Sequence, residues 1–284
     1  MSGLHTWHEL DIDGGTLSVR TWGPPDAAET VVLLHGGPGM SGRYMEPVVS
    51  FVDHGRRRIV LYDQRGAGSS RLESQDPADY GLEAYAAELE QVIDGVAVGP
   101  VHLLGHSWGG IVAMDYAARH GVELASIIIV GSAPPTRTEL EVSMASMGAR
   151  IEALQQRGLI PAELPDDATA TDQLRAVLPM YFADPELVVP PDAVVALEVT
   201  PGVGGRTWQA LGDFDLTERL ASYRGRALVI FGEADAIGLQ ASEATRAALS
   251  NADVRYEILD QCGHFPWFEA PDRFQALLDA FLAG

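Results

Sequence analysis

Cysteine is almost absent: Cys262 is the single thiol in 284 residues. One thiol excludes an internal disulfide framework and a cysteine-built zinc site, and it fits a reducing compartment, so the cytoplasm is the expected location. Basic residues are scarce as well. Nineteen Lys and Arg stand against 40 Asp and Glu, for a formal charge of −21 and a pI near 4.6. Such a surface repels nucleic-acid phosphates and anionic lipid, and no basic block is longer than Arg56-Arg57-Arg58. Nucleic acid and membrane are therefore not expected partners. Long apolar runs are missing too: none reaches the roughly 18 residues of a membrane span, and Met1–Leu10 lacks the basic-then-apolar order of a signal peptide. Internal repeats and low-complexity tracts are also lacking.

The patterning that is present is that of a large α/β domain. Alternation in Trp7–Ile12 and Thr16–Trp22 across Asp13-Gly14-Gly15 predicts an opening β-hairpin. Short apolar runs follow at Thr30–Leu34, Arg58–Tyr62, Val101–Leu104, Ser126–Val130, Ala227–Phe231 and Val254–Leu259. They alternate with helix-length segments at Leu82–Val96, Ile111–His120, Ser242–Leu249 and Pro271–Leu282, which predicts a mostly parallel sheet with helices on both faces. The interval from Val130 to Ala227 is too long for one crossover. It holds Pro134-Pro135, an amphipathic stretch Glu139–Gln156 and a Pro- and Asp-rich tract, so residues 134–215 are expected to form a helical cap inserted after the sixth strand, with 1–133 and 216–284 as the catalytic domain.

The most informative segment is Gly105-His106-Ser107-Trp108-Gly109, between an apolar strand and a helix. A serine at such a turn takes a strained backbone, and glycines two before and two after it relieve the crowding of strand and helix. The helix that follows points its first N–H groups at any oxyanion formed there. Serine acyl transfer further needs a base, an orienting carboxylate and oxyanion donors. Asp235 follows the strand Ala227–Phe231, and His264 follows the last strand in Gln261-Cys262-Gly263-His264-Phe265-Pro266. The order Ser107, Asp235, His264 suits a doubly wound hydrolase sheet. Asp213, Asp215 and Asp260 are rival carboxylates, placed less well. His35-Gly36-Gly37-Pro38-Gly39 after the strand Val31–Leu34 supplies the second oxyanion element, so the expected donors are the N–H groups of Gly37 and Trp108. No Lys-Ser/Thr follows these glycines, which excludes a phosphate loop. Gly36, Trp208 and Phe265 are the expected substrate contacts, and Met144, Met147, Tyr181 and Phe182 are candidates for an apolar pocket under the cap. Cys262 reads as packing beside the site, His102 and His106 as packing of the elbow, His35 as a brace of the glycine loop, and Asp63–Ser70 as a structural loop. Neither a metal nor a cofactor is expected.

His-Gly-Gly-Pro-Gly, Asp-Gln-Arg-Gly-x-Gly-Ser-Ser (residues 63–70), Gly-x-Ser-Trp-Gly-Gly and Cys-Gly-His with a following Glu269-Ala270-Pro271 occur in that order. Together they resemble the α/β-hydrolase family and, within it, the proline iminopeptidases, over residues 30–133 and 216–284. The resemblance implies an α/β-hydrolase fold with Ser107, Asp235 and His264 as triad. The chain departs from that pattern where the family holds a substrate ammonium. Ala236 replaces the glutamate that commonly follows the catalytic aspartate, and Pro201–Thr207 carries no acid where the cap commonly has one. An unpaired buried ammonium costs several kcal/mol, so an aminopeptidase here needs a substitute such as Glu198 or Asp213. The leading expectation is a cofactor-free serine hydrolase acting on a small ester, lactone or amide. Two alternatives are a true proline iminopeptidase with a rewired ammonium site and a small-molecule receptor on a hydrolase scaffold. The oligomeric state is left open.

Overall fold

The computed structural model describes residues 5–284; Met1–Leu4, part of the N-terminal reading above, lie outside them. Strands β1 (Thr6–Ile12) and β2 (Gly15–Trp22) form the expected antiparallel hairpin, turned at Asp13-Gly14 with Gly14 at φ 69°. The other strands are β3 (Glu29–Leu34), β4 (Arg57–Tyr62), the two-residue β5 (Arg71–Leu72), β6 (Val101–His106), β7 (Leu124–Val130), β8 (Arg226–Gly232) and β9 (Asp253–Leu259). Their spatial order is β1-β2-β4-β3-β6-β7-β8-β9, with β5 on the side of β2. From β4 to β9 every neighbour is parallel. This is an α/β fold with a mostly parallel central sheet.

Why these runs become strands follows from their two faces. Val32, Leu34, Ile129 and Val229 pack into one apolar layer, and Val31, Leu33, Ile128, Val130, Leu228 and Ile230 into the other. With both faces covered, alternation gives way to continuous Val, Ile and Leu. Helices α1 (Leu82–Val96) and α2 (Trp108–His120) cover the first face. The second is closed by the C-terminal helix and by a 3₁₀ segment, Gly42–Phe51, that the sequence pattern did not announce.

Between β7 and β8 lie α3 (Arg137–Gln156), α4 (Ala170–Ala176), a 3₁₀ turn at Leu178–Tyr181, α5 (Pro191–Val195), α6 (Val203–Leu211) and α7 (Thr217–Leu220). The chain enters and leaves this helical segment side by side. Arg137 N–H donates to the Phe214 carbonyl (2.9 Å) and Leu216 N–H to the Pro135 carbonyl (3.0 Å). Because β5 joins the sheet, the segment follows the seventh strand and not the sixth; a two-residue strand is too short to carry a periodic signal. The fold closes with α8 (Leu239–Ala248), α9 (Pro266–Glu269) and α10 (Pro271–Leu282). Among the described residues no helix is long and apolar enough to cross a membrane.

Candidate active site

Ser107 stands alone between β6 and α2 with φ 55° and ψ −122°, a conformation that costs a non-glycine residue of order 1–3 kcal/mol. Close packing holds it there. A Cβ on Gly105 would come 2.3 Å from the Gly109 carbonyl oxygen, and one on Gly109 would come 2.0 Å from that of Leu34. Both contacts are impossible, so only glycine lets α2 press against β6 and β3. Ser107 N–H donates to the Val130 carbonyl at 3.1 Å, tying the turn to the neighbouring strand.

Asp235 and His264 come from the loops after β8 and β9. His264 Nδ1–H donates to both carboxylate oxygens of Asp235 at 3.0 Å, and Ile237 N–H donates to Oδ1 at 2.9 Å. Both side chains are buried. Gly131, at φ 50°, makes room for the pair, since a Cβ there would sit 2.8 Å from Asp235 Oδ2. Ser107, His264, Gly36, Gly37 and Phe265 line one cavity of about 30 Å³. Among the described residues no hydrogen bond joins Ser107 to His264; the two face the same small space. The rival carboxylates lie elsewhere: Asp213 is exposed, Asp215 accepts from Thr217 N–H (2.8 Å), and Asp260 pairs with Arg273 at 3.5 Å.

Trp208 is not in this cavity. It packs edge-to-face on Trp108, ring centres 5.4 Å apart, beside the first core layer. Met144 is exposed and Met147 packs among core side chains, whereas Tyr181 lines the cavity and stacks on His264 at 5.0 Å. Cys262 is buried, and burial pushes its thiol far above the ordinary range, so it is inert as a nucleophile. Ala236 belongs to an apolar cluster with Leu154, Ile160 and Met180 of the helical segment. Glu198 lies at the surface, 3.9 Å from Arg43.

A chain of hydrogen bonds that the sequence did not announce joins the separate loops. Gly36 N–H donates to Tyr44 Oη (2.6 Å), Tyr44 O–H to His106 Nδ1 (2.7 Å), and His106 Nε2–H to the His264 carbonyl (2.9 Å). Burial, with His264 beside it, holds the His106 pKa well below the usual value, so it stays neutral and keeps both roles. Below this, Gln64 N–H donates to His35 Nε2 (2.9 Å) and His35 Nδ1–H to the Gly36 carbonyl (2.8 Å). Gln64 also donates to the His35 carbonyl (2.8 Å) and accepts from the Trp108 indole N–H (2.9 Å). The loop Asp63–Ser70 thus braces the glycine loop against the elbow.

The helical segment is pinned to both sides of the site. On one side, His264 N–H donates to the Tyr181 carbonyl (2.7 Å), Ala183 N–H to Glu269 Oε1 (2.7 Å), and Arg150 to the carbonyls of Phe182 (2.6 Å) and Ala234 (3.2 Å). On the other, Ser41 N–H donates to the Glu198 carbonyl and Thr200 N–H to the Gly39 carbonyl, each at 2.9 Å.

Comparison with known proteins gives the family and the fold. Residues 31–277 match the model of the "Alpha/beta hydrolase family". The chain is 28% identical over 263 residues to a proline iminopeptidase of Lactobacillus helveticus (strain DPC 4571), covering 89% of each chain. It is similar in structure to the proline iminopeptidase of Mycobacterium smegmatis, with a TM-score of 0.77, 25% identity and 98% of each chain covered. The fold is shared by an esterase, EaEST, of Exiguobacterium antarcticum, with a TM-score of 0.75 at 21% identity, over 99% of this chain and 100% of that one. The chain is an enzyme of the alpha/beta hydrolase family, similar in sequence to the proline iminopeptidases.

Proposed function

We propose that the protein is a serine hydrolase that cleaves a small, uncharged ester, lactone or amide through an acyl-enzyme, beneath a cap formed by residues 134–215. The observation that carries this reading is the cavity at Ser107, which His264, oriented by Asp235, and the glycines of residues 36–37 also line. Ser107 Oγ attacks the carbonyl carbon as His264 Nε2 takes its proton, and Asp235 stabilises the resulting imidazolium. The tetrahedral oxyanion accepts from the N–H groups of Gly37 and Trp108, each worth about 3 kcal/mol of transition-state stabilisation. His264 then gives its proton to the leaving group, and water repeats the sequence to release the acid. The small cavity requires the cap to shift for substrate to enter.

Charge supports a neutral substrate. No carboxylate stands among the described residues lining the cavity. Glu198 faces solvent beside Arg43, and Ala236 is enclosed by cap side chains, so neither position offers an anion to an ammonium. The second reading, a proline iminopeptidase, is favoured by the 28% identity to the L. helveticus enzyme. Initial rates on proline p-nitroanilide and p-nitrophenyl acetate, each with Ser107→Ala as blank, separate the two. Ester cleavage that falls about a million-fold in Ser107→Ala is the expected result. Ser107-dependent release from the anilide, lost on acetylating the amine, replaces the ester reading with the aminopeptidase.

A further inference from the structure

The cavity at Ser107 does not end at the reacting atoms. Four of its walls, Tyr44, Leu178, Leu197 and Phe265, also wall an adjoining seam between cap and core with about 10 Å³ of free space. That seam continues past Val189, Ala193 and Phe268 into an outer groove of about 570 Å³, with which it shares Tyr44, Ala193 and Phe268. Along the seam every side chain is apolar except Tyr44. Its hydroxyl is already taken up by Gly36 and His106, so a polar group placed in the seam would find no partner. The outer groove differs: Arg43, Glu46, His54 and Asp192 make it wide, wet and mixed in charge.

The two walls of the seam are unequal. On the core side Tyr44 is locked by its two hydrogen bonds, and Phe265 packs against His264 and Trp267. Leu178, Val189, Ala193 and Leu197 belong to the cap, on or beside its short 3₁₀ and α5 turns. Opening of the seam therefore comes from the cap wall, and it admits one narrow chain before it admits a branched or cyclic one.

We propose that the substrate carries an unbranched, uncharged alkyl arm that runs from the scissile carbonyl through this seam, its far end reaching the outer groove. The inference rests on the serine-hydrolase reading above and adds the shape and polarity of the substrate.

The test is a chain-length series in two arms, p-nitrophenyl acetate, butyrate, hexanoate, octanoate and laurate for the acyl side, and the matching straight-chain alkyl acetates for the leaving side. In one arm kcat/KM should rise about fourfold per added methylene, the fold-change equivalent of about 0.8 kcal/mol per buried methylene, and level off once the chain reaches the open groove. Branched isomers should fall below the linear ester of equal carbon number. Two variants act in opposite directions on the octanoate-to-acetate ratio, which cancels any loss of folded protein. Ala193→Trp fills the seam and should lower the ratio; Leu197→Ala widens it and should raise it. Ser107-dependent acetate hydrolysis with a flat or falling profile in both arms overturns the alkyl seam and leaves the serine hydrolase standing. No Ser107-dependent hydrolysis of any ester overturns the ester reading, and the seam with it.

Discussion

Gly131 bears on the proposed site without lining its cavity. A methyl group there would lie 2.8 Å from Asp235 Oδ2 and 3.0 Å from His264 Nδ1, in a backbone region that L-residues avoid. The carboxylate is the movable partner, so Gly131→Ala should displace it and turn the imidazole away from Ser107. The expected loss in kcat is roughly a hundredfold, the scale for a displacement of about an ångström, with KM little changed. Steady-state kinetics together with a melting curve check this; wild-type kcat in the folded variant removes Gly131 from any positioning role. Gly109 sits under a harder constraint, since its neighbour is the Leu34 backbone and not a side chain. Gly109→Ala should yield no folded protein, read as loss of the native circular dichroism spectrum.

At the scale of elements, the helical segment between β7 and β8 is hydrogen-bonded to the loops that carry Asp235 and His264. The segment from Tyr181 to Ala183 is held by the His264 N–H, by Arg150 and by Glu269. Burial pushes the Glu269 pKa up, against the opposing effect of the backbone N–H groups it accepts from. On the proposed mechanism, a displacement of this segment that admits substrate therefore pulls on the loop carrying His264. Arg150→Ala should lower kcat more than it raises KM and cost roughly 1 kcal/mol of stability, because two part-buried carbonyls lose a charged donor. Arg150→Lys should recover only part, since one ammonium replaces a fork that spans both carbonyls. A KM effect with unchanged kcat assigns Arg150 to the cap alone. This latch was not legible in the sequence: Arg150 lies 84 positions from Ala234, and nothing in an amphipathic helix marks one arginine as turned inward.

For the whole molecule, buried imidazoles contribute to acid sensitivity. His35, His102 and His106 are all held below the usual histidine value, first by burial. The unfolded chain takes up their protons near pH 6.5 and the folded chain only at lower pH, so this stability is complete above about pH 6.5 and is lost progressively as pH falls below it. Glu88 acts the other way. Burial raises it to about 7 in spite of Arg65, so the stability it contributes is complete below its unfolded value of 4.5 and is lost as pH rises towards 7. Glu269 is raised as Glu88 is, so two carboxylates oppose the three histidines, and stability should still fall as pH drops from about 6 to 5, by less than three protons' worth at about 1.4 kcal/mol per proton. Urea unfolding at a series of pH values should show this fall, made shallower in His102→Gln, a site remote from Ser107. A flat profile across that window contradicts the account.

What the sequence by itself determined was whatever short-range pattern encodes. The parallel sheet, the flanking helices and the insertion follow from apolar runs and their spacing, and α1 and α10 begin and end where the pattern placed them. The elbow at Ser107 is equally local, because its glycines answer a crowding within a few residues. The tertiary structure alone decided which distant groups meet. Tyr44 reaches His106 across 62 positions, and His106 reaches His264 across 158. Trp208, credible as a pocket residue by type, turned against Trp108, while Leu178 and Leu197 came to wall the cavity. The shape of the cavity beside Leu174, Leu178 and Leu197 arises from short helices packed on loops, without a period to read, and contacts of that kind exist only once the chain has closed on itself.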